Sequence, residues 1–397
     1  MVSSRGKRKV VLLGMMSKMP VAGVVWQTVH YLLGFERLGY EIYYVEAHAR
    51  TPSMFVAGDG EEADDGSAGA VEFIRGVMER YGLSGRWAFH ALHSDGRCYG
   101  MDVGELNRLY DSADVIINLH GGTIPLEEQA RTGRLIYLET DPVAVQIELY
   151  HDLKETVDFL SPHVAFFTFG ENYGRAACRL PVDQRFKFKA TRQPVVMDFW
   201  KSDAGVNGHA KCFTTIGNWQ QPWREVTFEG EVYHWSKHYE FMKVLDLPVR
   251  TGREFELALS SYDEGTKAML ETRGWRVRHA LDFSHDPEAY REYVTGSRGE
   301  FTVAKDQNVR LRTGWFSDRS ATYLAAGRPV VTQETGFSDF LPTGEGLFGF
   351  SDVEEAAEAV GRIDSDYDAH RRGARRVARE FFSHDVVLPK LMAEVGV

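Results

Sequence analysis

Short, unbroken apolar runs alternate along this chain with longer stretches in which apolar residues recur every three or four positions. The run KVVLLGM (9–15) is β-branched and apolar almost throughout, the pattern of a strand buried on both faces. A loop with glycine and proline follows, then VVWQTVHYLLGFERLG (24–39), which has helical spacing and ends on Gly39. YEIYYVEA (40–47) is the next predicted strand. VEFIRGVMERYGL (71–83) predicts a helix. DVIINLHGGT (114–123), RLIYLETDP (134–142) and HVAFFTFGENYG (163–174) each predict a strand running into a loop, the last with a helix after it. The second half repeats the alternation, with KCFTTIG, EFELALS, RVRHALDF, GEFTVAK and RPVVTQE as strands and helical segments between them. A β-loop-α-β opening followed by continued alternation predicts an α/β chain of doubly wound parallel sheets.

The polar, aperiodic stretch from 189 to 210, which carries Pro194, separates the halves. It divides the chain into a unit over 1–193 and a second over 209–379, as expected for 397 residues, too many for one ordinary core. Residues 53–70 are acidic and rich in Gly and Ala, the composition of a mobile surface loop. The formal net charge of −11 gives no footprint for nucleic acid or an anionic membrane, so an anionic ligand needs a local site. Cys98, Cys178 and Cys212 are odd in number and fit neither a disulfide scaffold nor a metal site, which points to a reducing, cytoplasmic setting. The basic start with its short apolar run is followed by Lys18 and Pro20 rather than a cleavage region, and no run is long enough to span a membrane.

Candidate chemistry concentrates in GWFSDRSATYLAAGRPVVTQETGF (314–337). Ser317 or Asp318 reads as the N-cap of a short helix that Gly327 closes, with Arg319, Ser320 and Thr322 crowding its start. A helix N-terminus presents unpaired N–H groups and the positive end of its dipole, which favour an anion, and Arg319 adds a bidentate charge. The same residues also read as a plain cap with a surface salt bridge, and pattern alone supports both.

From RSATYLAAGRPVVTQETGFSDFLPTGEGLFGFSDVEEAAEAV (319–360) the chain resembles the nucleotide-sugar-binding end of GT-B glycosyltransferases. The features in common are a helix with a small-residue/Gly turn, then G-x-P-V-V, a Gly-containing loop, G-L-x and a further helix. The resemblance implies two Rossmann-like domains facing each other across a cleft, with the acceptor held mainly by 1–193 and the donor by 209–379. It also implies a last helix, about 380–397, that packs back on the first domain. The donor diphosphate would meet Asp318, Arg319 and Ser320. Thr322 stands where the family usually has a ribose-binding glutamate. Gly336, Phe337 and Asp339 would approach the sugar, although Asp339 also reads as a turn cap. Gly217 and Asn218, after the first strand of the second half, and Lys305, at the end of GEFTVAK, complete the donor candidates, and HALDFSHD (279–286) would hold the base.

In the first half, three loops should leave strand C-termini toward the crevice. They supply Met19 and Pro20, then His120 with Gly121 and Gly122, then Glu139 and Asp141. Met19, Pro20, Gly121, Gly122 and Glu139 are the acceptor candidates. His120 reads as a general base near neutral pKa or as a turn cap, with Asp141 the competing base or acceptor-orienting group. Asp364-Ser365-Asp366 and the pair His90 and His93 lack the setting of a metal site, so no metal is expected. No Gly-Lys-Ser/Thr phosphate loop and no Gly-x-Gly-x-x-Gly follows a first strand, which disfavours an ATPase, a kinase or a dehydrogenase. The expectation is a cytoplasmic, metal-independent glycosyltransferase, monomeric or homodimeric, that uses a nucleoside-diphosphate sugar as co-substrate with no further cofactor. It would act on a natural-product or glycan hydroxyl or amine, without nucleic acid or a membrane span. A nucleotide-sugar epimerase of the same fold and a non-catalytic nucleotide-sugar-binding protein are the alternatives.

Overall fold

The structure, a computed structural model, describes residues 6–47, 66–201, 211–221 and 224–397. The acidic stretch through residue 65, the end of the linker at 202–210, and Pro222 and Trp223 lie outside the described residues. Residues 67–70, expected in the acidic loop, instead open the helix Ser67–Arg80.

The first half contains β1 (Lys9–Leu13), β2 (Glu41–Glu46), β3 (Trp87–His90), β4 (Cys98–Tyr99), β5 (Val115–Leu119), β6 (Leu135–Glu139), β7 (Ala165–Thr168) and β8 (Phe188–Ala190). They form one sheet in the order β4-β3-β2-β1-β5-β6-β7-β8, parallel except where β4 pairs with β3. The second half begins with β9 (Cys212–Asn218), and a hairpin of β10 (Val226–Phe228) and β11 (Glu231–Tyr233) follows. After these come β12 (Glu254–Ser260), β13 (Trp275–His279), β14 (Gly299–Thr302), β15 (Val330–Gln333) and β16 (Leu347–Phe350). Their sheet, β13-β12-β9-β14-β15-β16, is parallel throughout. The second sheet thus runs 3-2-1-4-5-6 in its own strand order, the doubly wound Rossmann arrangement, and the first follows the same plan with the antiparallel β4 added at one edge and a further parallel strand at the other.

The runs that read as doubly buried strands are buried on both faces. Val10, Leu12, Ile117 and Leu138 pack toward the helix Ala22–Arg37, while Val11, Leu13, Ile116 and Leu135 pack toward Val103–Ser112. In the second half Phe213, Phe255, Leu257, Phe301 and Val331 form a core with the helix Val353–Ser365. Apolar packing is continuous between the halves, from Trp26 and Val29 to Tyr290, Phe316 and Leu324. The helix His384–Glu394 lies against Ala22–Arg37 so closely that a Cβ on Gly34 would stand 2.7 Å from Leu388 Cδ1. The helix expected after β7 is absent, and the chain there makes turns that lead to β8.

Strand order reverses beside β1 in one sheet and beside β9 in the other, and ligands of open α/β sheets bind outside the strand C-termini at such points. His120 follows β5 and Lys305 follows β14, the strands that flank these two reversals.

Candidate active site between the two sheets

Three cations of the second half converge on this crevice. Lys237 arrives on the segment after the β10–β11 hairpin, whose turn places Glu229 and Gly230 at φ 51° and 78°. The tight turn returns the chain so that Trp235 and Lys237 reach the cleft. Lys305 follows the buried end of β14 and takes the N-cap position of the short helix Asp306–Arg310. Arg319 sits in the first turn of the helix Asp318–Ala325. With Gln27, Thr140, Asp141, Trp315, Ser317 and Asp318 they line a cavity of about 200 Å³ between the two halves.

Each cation is held differently. The Arg319 side chain is 12% exposed, and its Nε donates to the fully buried Glu300 carboxylate at 2.6 Å. Its Nη1 donates to the Ile216 carbonyl at 2.5 Å and its Nη2 to Thr302 Oγ1 at 3.0 Å. Burial opposes the charge of Arg319, but the carboxylate beside it holds its pKa above the usual arginine value. Lys305 Nζ lies 3.1 Å from the centre of the Trp235 ring, over which Arg224 also stacks, and donates to Asp141 Oδ1 of the first half at 2.6 Å. Lys237 Nζ reaches Thr302 Oγ1 at 3.4 Å. Burial lowers both lysine pKa values, and for Lys237 the Arg319 charge adds to the effect. Burial raises that of Asp318, against the pull of Arg319.

The first half presents His120 at φ 61°, followed by Gly121 at φ 65°. A non-glycine residue in this region is strained, and such strain gathers at functional sites. His120 Nδ1 shares a hydrogen bond with Thr140 Oγ1 at 2.9 Å, while its Nε2 is buried without a protein partner. Burial depresses its pKa to about 4, with Asp141 opposing, so the imidazole is neutral at physiological pH. With Nδ1 donating to Thr140, Nε2 offers a free lone pair. Trp315 Nε1 of the second half donates to the Thr140 carbonyl at 2.9 Å and fixes this residue from across the cleft. Next to His120 a groove of about 480 Å³ opens, lined by Lys18, Gly121, Gly122, Ile124, Leu153 and Phe159 among others. A Cβ on Gly121 would stand 3.1 Å from Phe159 Cζ, and one on Gly122 the same distance from Met15 Cβ, so side chains here would crowd the floor.

The structure brings together His120, Asp141, Lys305, Asp318 and Arg319. Other expected residues are placed differently. Arg319 is no exposed phosphate clamp, because Nε, Nη1 and Nη2 each donate to a group inside the protein. Ser317 holds the N-cap position but its side chain caps nothing. Ser320 is fully buried with an unpartnered hydroxyl, and Thr322 Oγ1 donates to the Arg319 carbonyl within its own helix. Glu139 is 2% exposed, with Gln146 Nε2 at 3.3 Å, and burial raises its pKa to about 8, so it is not open to an acceptor. Gly336, at φ 94°, makes room for Asn172 of the first half, since an added Cβ would stand 2.1 Å from Asn172 Nδ2. Phe337 is buried against Phe316, and Asp339 lies exposed in a 3-10 turn. Gly217 and Asn218 end β9 outside the cavity lining, with Asn218 Oδ1 accepting from Ser260 Oγ. Met19 is exposed and Pro20 buried in the loop after β1. Within 279–286, the Ser284 carbonyl accepts from Ala22 N at 2.6 Å, a contact between the halves. Asp364, expected in a solvated loop, lies in the last turn of the helix Val353–Ser365 and binds Arg253 and Arg298. Among the described residues no group of three His, Cys, Asp or Glu side chains is arranged to hold a metal ion, and no helix is long and apolar enough to cross a membrane.

Sequence reading missed Lys237, Trp235 and Trp315. The signal for the first two was the hairpin turn Glu229-Gly230 between TF and EV, which delivers HWSK to the crevice. Trp315 carried no signal, because its partner Thr140 is 175 residues away.

No protein-family model and no curated protein sequence matches this chain. Solved structures do. An α-glucosyltransferase in complex with UDP and a 13-mer DNA aligns with a TM-score of 0.60 at 12% identity, over 99% of this chain and 100% of that one. Anabaena HepE in complex with UDP-glucose aligns at 0.55 and 13% identity, over 98% and 99%. AviGT4, a glycosyltransferase involved in avilamycin A biosynthesis, aligns at 0.53 and 13%, over 98% and 96%. Over its whole length, then, the chain has the GT-B fold, two Rossmann-like domains facing each other across a cleft.

Proposed function

We propose that this protein is a glycosyltransferase that moves a sugar from a nucleoside-diphosphate sugar to a hydroxyl or amine of a small-molecule or glycan acceptor. The observation that carries the reading is the pair Lys237 and Lys305, partly buried at the crevice opposite His120 and Asp141, in a chain whose net charge is −11. Such cations, away from bulk water, are matched to a diphosphate. The neighbours named above were solved with UDP or UDP-glucose, which supports a nucleotide sugar as donor.

In this reading the diphosphate lies against Lys237 and Lys305, above the buried Arg319–Glu300 pair. Negative charge grows on it as the anomeric carbon–oxygen bond breaks, and the two ammonium groups stabilise the leaving group. The acceptor occupies the groove beside Gly121 and Gly122, and His120 Nε2 takes the proton from its nucleophile. The groove combines apolar Ile124, Leu153 and Phe159 with Lys18, which suits an amphipathic acceptor. The DNA in one neighbour's complex has no counterpart in the charge of this chain, which favours a small acceptor.

Calorimetric titration of UDP into the wild type and Lys237→Met tests the donor site. Loss of a charge-assisted contact should weaken binding by about 10- to 150-fold. Equal affinities, or no binding to the wild type, would remove the donor site from this cleft. The mechanism uses no metal, so EDTA should leave transfer within about a factor of two.

A further inference from the structure

Resting on the donor site just proposed, one contact in the cleft has a sharper consequence. Lys305 Nζ, expected to face a diphosphate, is bonded at 2.6 Å to Asp141 Oδ1 of the opposite half. Three cations, Lys237, Lys305 and Arg319, stand at the cavity, and three carboxylates face them: Asp141, Asp318 and the Glu300 beneath. In the ligand-free cleft Glu300 holds Arg319 and Asp141 holds Lys305, while Lys237 reaches a threonine hydroxyl, so a diphosphate that engages Lys305 must displace Asp141.

The carboxylates differ in how easily they yield. Glu300 is fully buried in β14 and carries Arg319. Asp318 is fixed in the first turn of its helix. The Asp141 side chain is 39% exposed, follows β6 in the other half, and holds Lys305 through one oxygen. Lys305 is itself 13% exposed and kept in place over the Trp235 ring, so it can change partner without moving far.

We propose that Asp141 is an internal competitor of the donor: Lys305 passes from Asp141 to the diphosphate when the nucleotide binds, which frees the carboxylate beside Thr140 and His120 to receive the acceptor. The exchange makes binding ordered, donor before acceptor. Before the donor arrives, the carboxylate that would orient the acceptor is occupied, so the acceptor finds an incomplete site. No covalent change is involved, only an exchange of ion-pair partners.

The exchange predicts an effect opposite to that of losing a useful contact. Titrated with UDP, Asp141→Asn should bind roughly tenfold more tightly than wild type, within the range of typical coupling between sites, whereas Lys305→Met should bind more weakly. In the Lys305→Met background, Asp141→Asn should change UDP affinity by less than about twofold, because the competition is gone. Unchanged or weaker binding by Asp141→Asn overturns the exchange. Tightening of equal size in both backgrounds also overturns it, since that is simple repulsion between Asp141 and the diphosphate. Asp141→Ser serves as a second variant if the asparagine variant melts early, and it should tighten UDP binding in the same way. Failure of the wild type to bind UDP sinks the donor site itself, an outcome distinct from binding that Asp141 does not govern.

Discussion

His120 combines three properties that rarely meet in a purely structural histidine: a strained backbone, an imidazole that burial keeps neutral, and a ring nitrogen without a partner. Removing it should lower turnover by roughly 10²-fold or more, the usual scale for a general base, with UDP affinity nearly unchanged. The pH dependence separates this role from that of an ordinary surface histidine. A base must be unprotonated, and with a pKa near 4 the imidazole stays so down to about pH 5. The acid limb of kcat/KM should therefore be flat from pH 7 to 5, where an unperturbed imidazole would lose more than tenfold. A limb centred near 6.5 would mean that the imidazole is solvated when it acts, and normal turnover in His120→Ala would move the role to Asp141. The sequence singled out His120 at a strand end before two glycines, and that much was legible because strand ends and glycine pairs are local features. Its protonation state was not legible, because it depends on what buries the ring.

At the scale of elements, the helix Asp318–Ala325 shows how a correct local reading can misplace a side chain. Its start near Asp318 and its end at Gly327 follow from propensity and turn chemistry. Arg319, however, points inward and ties the first turn to the C-terminal end of β9 and to β14, through Ile216, Glu300 and Thr302. Arg319→Ala should consequently cost about 3–5 kcal/mol of stability, because it leaves Glu300 charged and buried without its partner. A pair on the surface would cost less than about 1 kcal/mol. Denaturant unfolding of the variant decides between these, and a near-neutral result would mean that Glu300 is readily hydrated or protonated. The β10–β11 hairpin is the converse case: a weak local signal, two strands of three residues, delivers the lysine on which donor binding is proposed to depend.

For the molecule as a whole, function depends on how the two sheets are held together, and the contacts that hold them lie next to the cleft. Trp315 donates to Thr140, Asn172 Nδ2 donates to the Arg312 carbonyl at 3.1 Å, and Gly336 leaves the space that Asn172 fills. Gly336→Ala should displace Asn172 and strain a residue at φ 94°, a cost of about 1–3 kcal/mol. Because a small misalignment of reacting groups is costly, turnover should fall about tenfold or more while UDP affinity changes less than threefold. Parallel loss of both would show that Gly336 shapes the donor site itself. By itself the sequence determined the α/β class, the strands with continuous apolar runs, the division into two halves and the loops that could carry chemistry, because all of these follow from periodicity and turn residues over a few neighbouring positions. Only the tertiary structure decided which charges are spent on one another. Arg319 is claimed by Glu300, Lys305 by Asp141 from 164 residues away, and Gly336 by Asn172 from the other half. Pairing across such distances leaves no trace in a local pattern, since either partner alone reads as an ordinary polar residue at a strand or helix end.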